Sequence, residues 1–177
     1  MVSRESFSFP PASDRNAALR QEGGKLSPRE NIDMATQYES ARLILELYDL
    51  RREATMPDAR NFWFAFNPET PEDLMAAMGS ANGGHVRMVI SYWDMAASLV
   101  LNGAIDEKMF NDANGEHLVV FGKLEAVIPK WREVMDDPNV WKSLETVALR
   151  APDARKRIDG IKARIKGMLA ARAAAQN

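Results

Sequence analysis

Histidines, cysteines and carboxylates are the side chains with which a protein of this kind could bind a metal or carry out acid–base catalysis. The two histidines, His85 and His117, are 32 positions apart, and neither has a carboxylate three or four residues away, the spacing of helical metal sites. The absence of cysteine excludes disulfides, thiolate metal sites and cysteine nucleophiles. The sequence therefore predicts no catalytic residue, no metal site and no cofactor.

Two carboxylates, Glu39 and Asp94, fall on predicted helices that are otherwise largely apolar, so we expect both to be covered. The commoner role of such acids, and the one that the sequence favours, is a structural ion pair with an arginine of the same or a neighbouring helix, namely Arg42, Arg87 or Arg132. Covered acids also sometimes anchor ligands, so the alternative is an interhelical ligand pocket near Asp94, lined also by Glu39, Arg87 and Tyr92.

An aromatic run and a basic C-terminal segment are the two predicted interaction surfaces. Phe62, Trp63 and Phe66 belong to the run, which would form an apolar protein-binding surface if its helix were exposed. From residue 150 onward the chain has eight basic and two acidic residues, a net charge of +6, whereas the remainder carries −8. The predicted contact residues of this basic segment are Arg157, Lys162 and Arg164.

The basic segment also carries an apolar stripe, Ile158, Ile161, Ile165 and Met168, at spacings of 3, 4 and 3 residues. A helix with this pattern can dock on the acidic body of its own chain, pair with another helix or lie on an anionic surface. Nucleic-acid binding is disfavoured because the segment has no interleaved aromatic residues and the whole chain has a net charge of −2.

The elements that must position these residues are predicted to be helices throughout. We expect an all-α fold, an irregular bundle of six to eight helices, with three parts: a flexible N-terminal arm at 1–26, a helical core at 27–150 and a basic amphipathic helix at 151–177. The most apolar stretch, residues 88–101, is interrupted by polar side chains and is too short to span a bilayer. With no signal-peptide core at the start, a cytoplasmic location is expected.

Capping signals and apolar spacing give the expected helix boundaries. A capping box at Ser27 predicts a well-buried helix over 27–54, and Pro129 is expected to bend a single helix over 114–135. The helix over 84–101 is expected at the centre, packed against those two, because it is apolar on every side except one polar line. Further helices are predicted at 55–66, 70–79, 105–112, 137–149 and 153–174.

The central helix and the residues after it contain a recognisable sequence pattern: Tyr92-Trp93-Asp94, Ala96, Leu99-Val100, Gly103, Ile105-Asp106 and, one helix later, Trp131-Arg132. This pattern resembles a bacterial family defined only as a domain of unknown function, many of whose members look membrane-tethered by an N-terminal hydrophobic helix. This chain has a polar N-terminal segment instead. The resemblance implies a helical fold and no particular chemistry.

The sequence favours a non-enzymatic interaction or adaptor module that binds a protein partner, with homo-oligomer formation as a further expectation. Two other classes stay open: a small-molecule-binding protein or small enzyme with a pocket near Asp94, and a protein that binds an anionic surface through its last helix.

Overall fold

The computed structural model describes residues 35–174, and within that range the chain is helical with no β-strand. The described part has nine helices, slightly more than the six to eight expected. In chain order they are α1 (Gln37–Leu50), α2 (Met56–Ala65), α3 (Pro71–Gly79), α4 (Gly83–Leu101), α5 (Glu107–Ala113), α6 (Glu116–Leu124), α7 (Ile128–Met135), α8 (Lys142–Arg150) and α9 (Ala154–Ala174). The all-α prediction is confirmed, and among these helices none is long and apolar enough to cross a membrane.

The first described helix begins later than the sequence suggested. Thr36 has extended backbone angles and forms a capping box with Glu39: the Thr36 hydroxyl accepts from the Glu39 N–H, and the Glu39 carboxylate accepts from the Thr36 N–H. The predicted unbroken helix over 27–54 is therefore wrong at Thr36. The predicted cap at Ser27 and the arm at 1–26 lie outside the described residues.

The predicted bent helix over 114–135 is two helices. The first ends at Leu124, three residues follow without helical structure, and the second starts at Ile128 with Pro129 in its first turn. Proline has no N–H to donate, so it is tolerated in a first turn, where that donor needs no intrahelical partner. Pro129 thus begins α7 instead of kinking a longer helix.

Helix α4 occupies the centre of the described domain, as predicted. Its buried side chains include Val89, Ile90, Trp93 and Ala97, while the predicted polar line of Arg87, Ser91, Asp94 and Ser98 is exposed or half-buried. It packs mainly against α2 and α8, and to a lesser extent against α3, α5 and α6. We expected α1 to be a main packing partner of α4, but α2 and α8 take that place.

Helix α1 keeps part of its apolar surface in solvent. Leu47 is buried and Leu43 and Ile44 pack against the core, but Tyr38 is 76% exposed and Leu45 is 66% exposed. The expectation that α1 is well buried is therefore wrong for part of its apolar surface. We refer to Tyr38, Leu45 and Tyr48 as the α1 stripe.

Candidate interaction site

The apolar stripe predicted on the last helix runs from the protein interior into solvent along α9. Ile158 is completely buried, Ile161 and Ile165 are half-buried, and Met168 is 67% exposed. Leu169 beside it is also exposed. The first part of the stripe is used to dock α9 on α6 and α8, where Ile158 and Ile161 lie next to Gly122. The second part has no covering element among the described residues.

Two cavities flank the outer part of the stripe. The first has a volume of about 330 Å³ and is lined by Phe64, Val119, Lys123, Ile161, Arg164, Ile165 and Met168. The second, about 650 Å³, lies on the other side and is lined by residues that include Pro68, Ala126, Lys162, Lys166 and Leu169. We call the two cavities and the stripe between them the α9 groove. Most of the surface of each cavity is apolar, and each cavity has at least one cation at its edge.

Lys123 forms the floor between the two cavities. Its ammonium donates three hydrogen bonds to backbone carbonyls at the C-terminal end of α2, at 2.8 Å to Trp63, 3.0 Å to Phe64 and 2.7 Å to Phe66. The last carbonyls of a helix have no intrahelical partner, and a cation there also interacts favourably with the helix dipole. Burial lowers the pKa of Lys123 to about 8. Three donated bonds require the protonated amine, so Lys123 is a charged cap that fixes α2 to α6.

The basic residues of α9 divide into two groups. Arg155 and Lys162 both donate to the Glu125 carboxylate, which follows α6. Burial opposes ionisation of Glu125, but these two cations outweigh it and hold its pKa below the usual value. Arg164 and Lys166 make no ion pair with any described residue. Internal docking therefore accounts for part of the basic charge, Arg164 and Lys166 border the α9 groove, and Lys156 and the predicted contact residue Arg157 line a separate cavity.

The aromatic run is mostly part of the core. Trp63 is completely buried, so its predicted place on an interaction surface is wrong. Phe62 and Phe66 are half-buried and stack on each other with ring centres 5.7 Å apart. Phe64, which points the other way on α2, is 47% exposed and lines the first cavity. The structure thus brings one member of the run and the basic helix together in a single surface.

A buried ion cluster joins α1, α2 and α6. Glu116, in the first turn of α6, binds Arg51 and Arg60, each at 2.6 Å, and its side chain is 9% exposed. Arg51 also lies over the ring of Trp93, and Arg60 lies over the ring of Phe64. Two guanidinium groups on one carboxylate satisfy its oxygen acceptors, and the cluster anchors the end of α1 to the body.

The four residues of the predicted ligand pocket form their hydrogen bonds with four different residues and do not share a partner. Glu39 is exposed and caps α1, so the expected covering of this acid is wrong. Arg87 donates to the Met78 carbonyl, and the Tyr92 hydroxyl donates to the Leu47 carbonyl at 2.6 Å. Burial raises the pKa of Tyr92 to about 12, which keeps it a neutral donor.

Asp94, the fourth member of that predicted pocket, is half-buried and acts on α8. Its carboxylate accepts from the Leu144 N–H at 2.9 Å. Leu144 is the third residue of α8, and the residue in the usual capping position, Trp141, has a left-handed backbone and provides no side-chain cap. Asp94 therefore supplies from α4 the cap that α8 lacks locally.

His117 is completely buried between Trp93 and Phe110, whose ring centres lie 6.0 and 5.1 Å from its own. Neither ring nitrogen has a hydrogen-bond partner. Burial, assisted by the charge of Arg157, lowers the pKa of His117 to about 4. Within residues 35–174 no cluster of three metal-ligating side chains is present, and His117 is a neutral core residue.

Comparison with known families shows to which family the chain belongs. A family model described as a domain of unknown function, DUF4760, matches residues 38–151. The chain belongs to this family. The residues that carried the resemblance, from Tyr92 to Arg132, all lie inside the match, so the expectation of an uncharacterised family is confirmed. No curated protein and no solved structure matches the chain.

The DUF4760 match divides the α9 groove. Phe64, Val119 and Lys123 lie within the matched residues, whereas α9 begins at Ala154, beyond the end of the match. One wall and the floor of the groove thus belong to the DUF4760 region, and the basic wall is contributed by the segment that follows it.

Proposed function

We propose that this DUF4760 protein is a non-enzymatic interaction module that binds a protein partner through the α9 groove. The observation that supports this most directly is the partly uncovered stripe, with Met168 67% and Leu169 41% exposed beside two apolar cavities. An apolar surface with cavities on both sides is typical of a binding site for another chain. The three hydrogen bonds of Lys123 hold the end of α2 against α6 and so support the floor of the groove.

Capture from an extract of the native host tests the proposal with two matched double variants. Phe64→Ser/Met168→Ser removes apolar contact area from the groove, and Tyr38→Ser/Leu45→Ser removes a comparable area from the α1 stripe. All four side chains are substantially exposed, so each variant should keep the wild-type melting temperature. We expect a specific partner to be retained by the wild type and the α1 variant and lost by the groove variant. Equal capture by all three proteins would refute the proposal.

Self-association and a cytoplasmic location are parts of the same proposal. The α1 stripe supports self-association because Tyr38, Leu45 and Tyr48 are exposed on one helix. Light scattering of the wild type and of Tyr38→Ser/Leu45→Ser tests it, with a lower mass expected for the variant. A chain without cysteine suits a reducing compartment such as the cytoplasm. Fractionation of the host cells tests the location.

A further inference from the structure

Resting on the proposed function, we infer that the partner segment in the α9 groove is an acidic amphipathic helix. The groove presents a row of apolar side chains, Ile161, Ile165 and Met168, at the spacings of successive helical turns. A partner helix offers a complementary ridge of side chains at i, i+3, i+4 and i+7.

The backbone of the groove favours a helical segment over an extended one. An extended peptide gains affinity by pairing its main chain with the edge of a sheet. The groove is formed by α2, α6 and α9, and no strand is present among the described residues. A helix satisfies its own backbone hydrogen bonds and needs only side-chain contacts from the groove.

The charges at the groove favour acidic residues on that helix. Arg164 borders the first cavity and Lys166 the second, and neither is paired with a described residue. Glu69 is the one acidic residue that lines either cavity. The rest of the chain carries −8, so an acidic segment is repelled from the body and attracted to this face.

The concave shape of the groove argues against a membrane as the occupant. Phe64 and Val119 form a wall opposite Arg164, so the floor at Lys123 lies between two helical walls. A planar bilayer contacts projecting side chains and does not reach such a floor.

Two designed peptides test the inference with the full-length protein. Each is a fluorescein-labelled amphipathic helix of about 18 residues with leucine at i, i+3, i+4 and i+7. One carries glutamate on its flanks and the other carries lysine. By fluorescence anisotropy at low salt we expect the acidic peptide to bind at least about tenfold more tightly than the basic one.

Charge reversal in the groove should invert this preference. Arg164→Glu/Lys166→Glu should weaken binding of the acidic peptide by at least about tenfold and strengthen binding of the basic one. The matched control is Lys108→Glu/Lys130→Glu, which makes the same change in net charge at two exposed lysines elsewhere. The control should keep the wild-type preference.

Three results would overturn the inference: no binding of the acidic peptide, equal affinity for both peptides, or the same loss in the control as in the groove variant. The wild type could instead bind vesicles containing about 30% phosphatidylserine and fail to bind the acidic peptide. If charge reversal abolished that vesicle binding, the groove would be assigned to a membrane. If host capture still depends on Phe64 and Met168 while the peptides show no charge preference, the proposed function stands and the acidic partner class does not.

Discussion

The α1 stripe and the α9 stripe share one sequence pattern and have different surroundings. In α1, Tyr38, Ala41, Leu45 and Tyr48 follow each other at 3, 4 and 3 residues, the same spacing as Ile158, Ile161, Ile165 and Met168 in α9. The α1 stripe lies on the outer face of one helix, whereas the α9 stripe has walls from α2 and α6. The neighbouring elements, which the spacing does not specify, turn one stripe into a groove.

Charge separates the two surfaces further. Next to the α1 stripe, Arg42 pairs with Glu46 at 3.1 Å on the same helix, so the local charges cancel. Beside the α9 stripe, Arg164 and Lys166 have no described acidic partner. An exposed apolar stripe therefore becomes a candidate for a specific partner when unpaired charge of one sign accompanies it.

The largest effect is expected for Glu116→Gln, which removes the ion cluster that anchors α1, and with it the α1 stripe, to the rest of the domain. The substitution leaves Arg51 and Arg60 without their buried counter-charge, and we expect a loss of about 3–5 kcal/mol in the free energy of unfolding. Urea unfolding followed by circular dichroism measures it. Glu133→Gln, at an exposed pair with Lys130, should cost less than about 1 kcal/mol. Equal losses in the two variants would show that the cluster is not an anchor.

Lys123→Met should weaken the floor of the α9 groove while leaving the α1 anchor in place. Three carbonyls at the end of α2 lose their donor, and we expect destabilisation of about 3 kcal/mol. The melting temperature and urea midpoint measure it, and Lys108→Met, at an exposed lysine, is the control. A cost below about 1 kcal/mol would mean that the three contacts contribute little to stability.

Acid should act on the core that supports both surfaces, through His117. Its pKa is about 4 in the folded protein against an ordinary value near 6.5, so the unfolded chain binds the extra proton first as the pH falls. Stability from this residue is complete above pH 6.5 and declines toward pH 4, by at most about 3 kcal/mol. Unfolding between pH 4 and 7 measures it. His117→Gln should flatten this part of the profile, and an unchanged slope would contradict the assignment.

The smallest effect is expected at the cap that Asp94 provides to α8, which packs against α9. Asp94→Ala removes the acceptor of the Leu144 N–H and should cost about 1 kcal/mol. Asp94→Asn keeps an oxygen acceptor and should retain most of the stability. If both variants match the wild type in thermal unfolding, Asp94 does not cap α8.

Sequence patterns predicted the structural features that depend on residues close together in the chain. The capping residues at Thr70 correctly predicted the start of α3. The apolar residues around most of α4 correctly predicted its central position. The error at Pro129 has a local cause, because proline is compatible with either a kink or a first turn, and tertiary packing selects between them.

The candidate site was predictable only in part. Arg164 and Lys162 were predicted as contact residues from the charge of the last helix; both line the groove, whereas Arg157 does not, and their role in binding stays a prediction. Lys123 and Glu116 were missed because their partners lie 57–60 and 56–65 positions away, and nothing in one sequence marks such pairs. Trp63 and Phe64 are adjacent and both are large aromatic residues, and only the packing of α2 shows which of them is buried.

The saturated hydrogen bonding of Lys123 has a consequence for chemical labelling. An amine reacts with acylating reagents through a free lone pair, and a lowered pKa ordinarily increases that reactivity. Here the nitrogen is buried and gives all three protons to carbonyls, so it presents no lone pair while α2 remains in place. Exposed lysines such as Lys130 will be acylated first, and modification of Lys123 will report each opening of the end of α2.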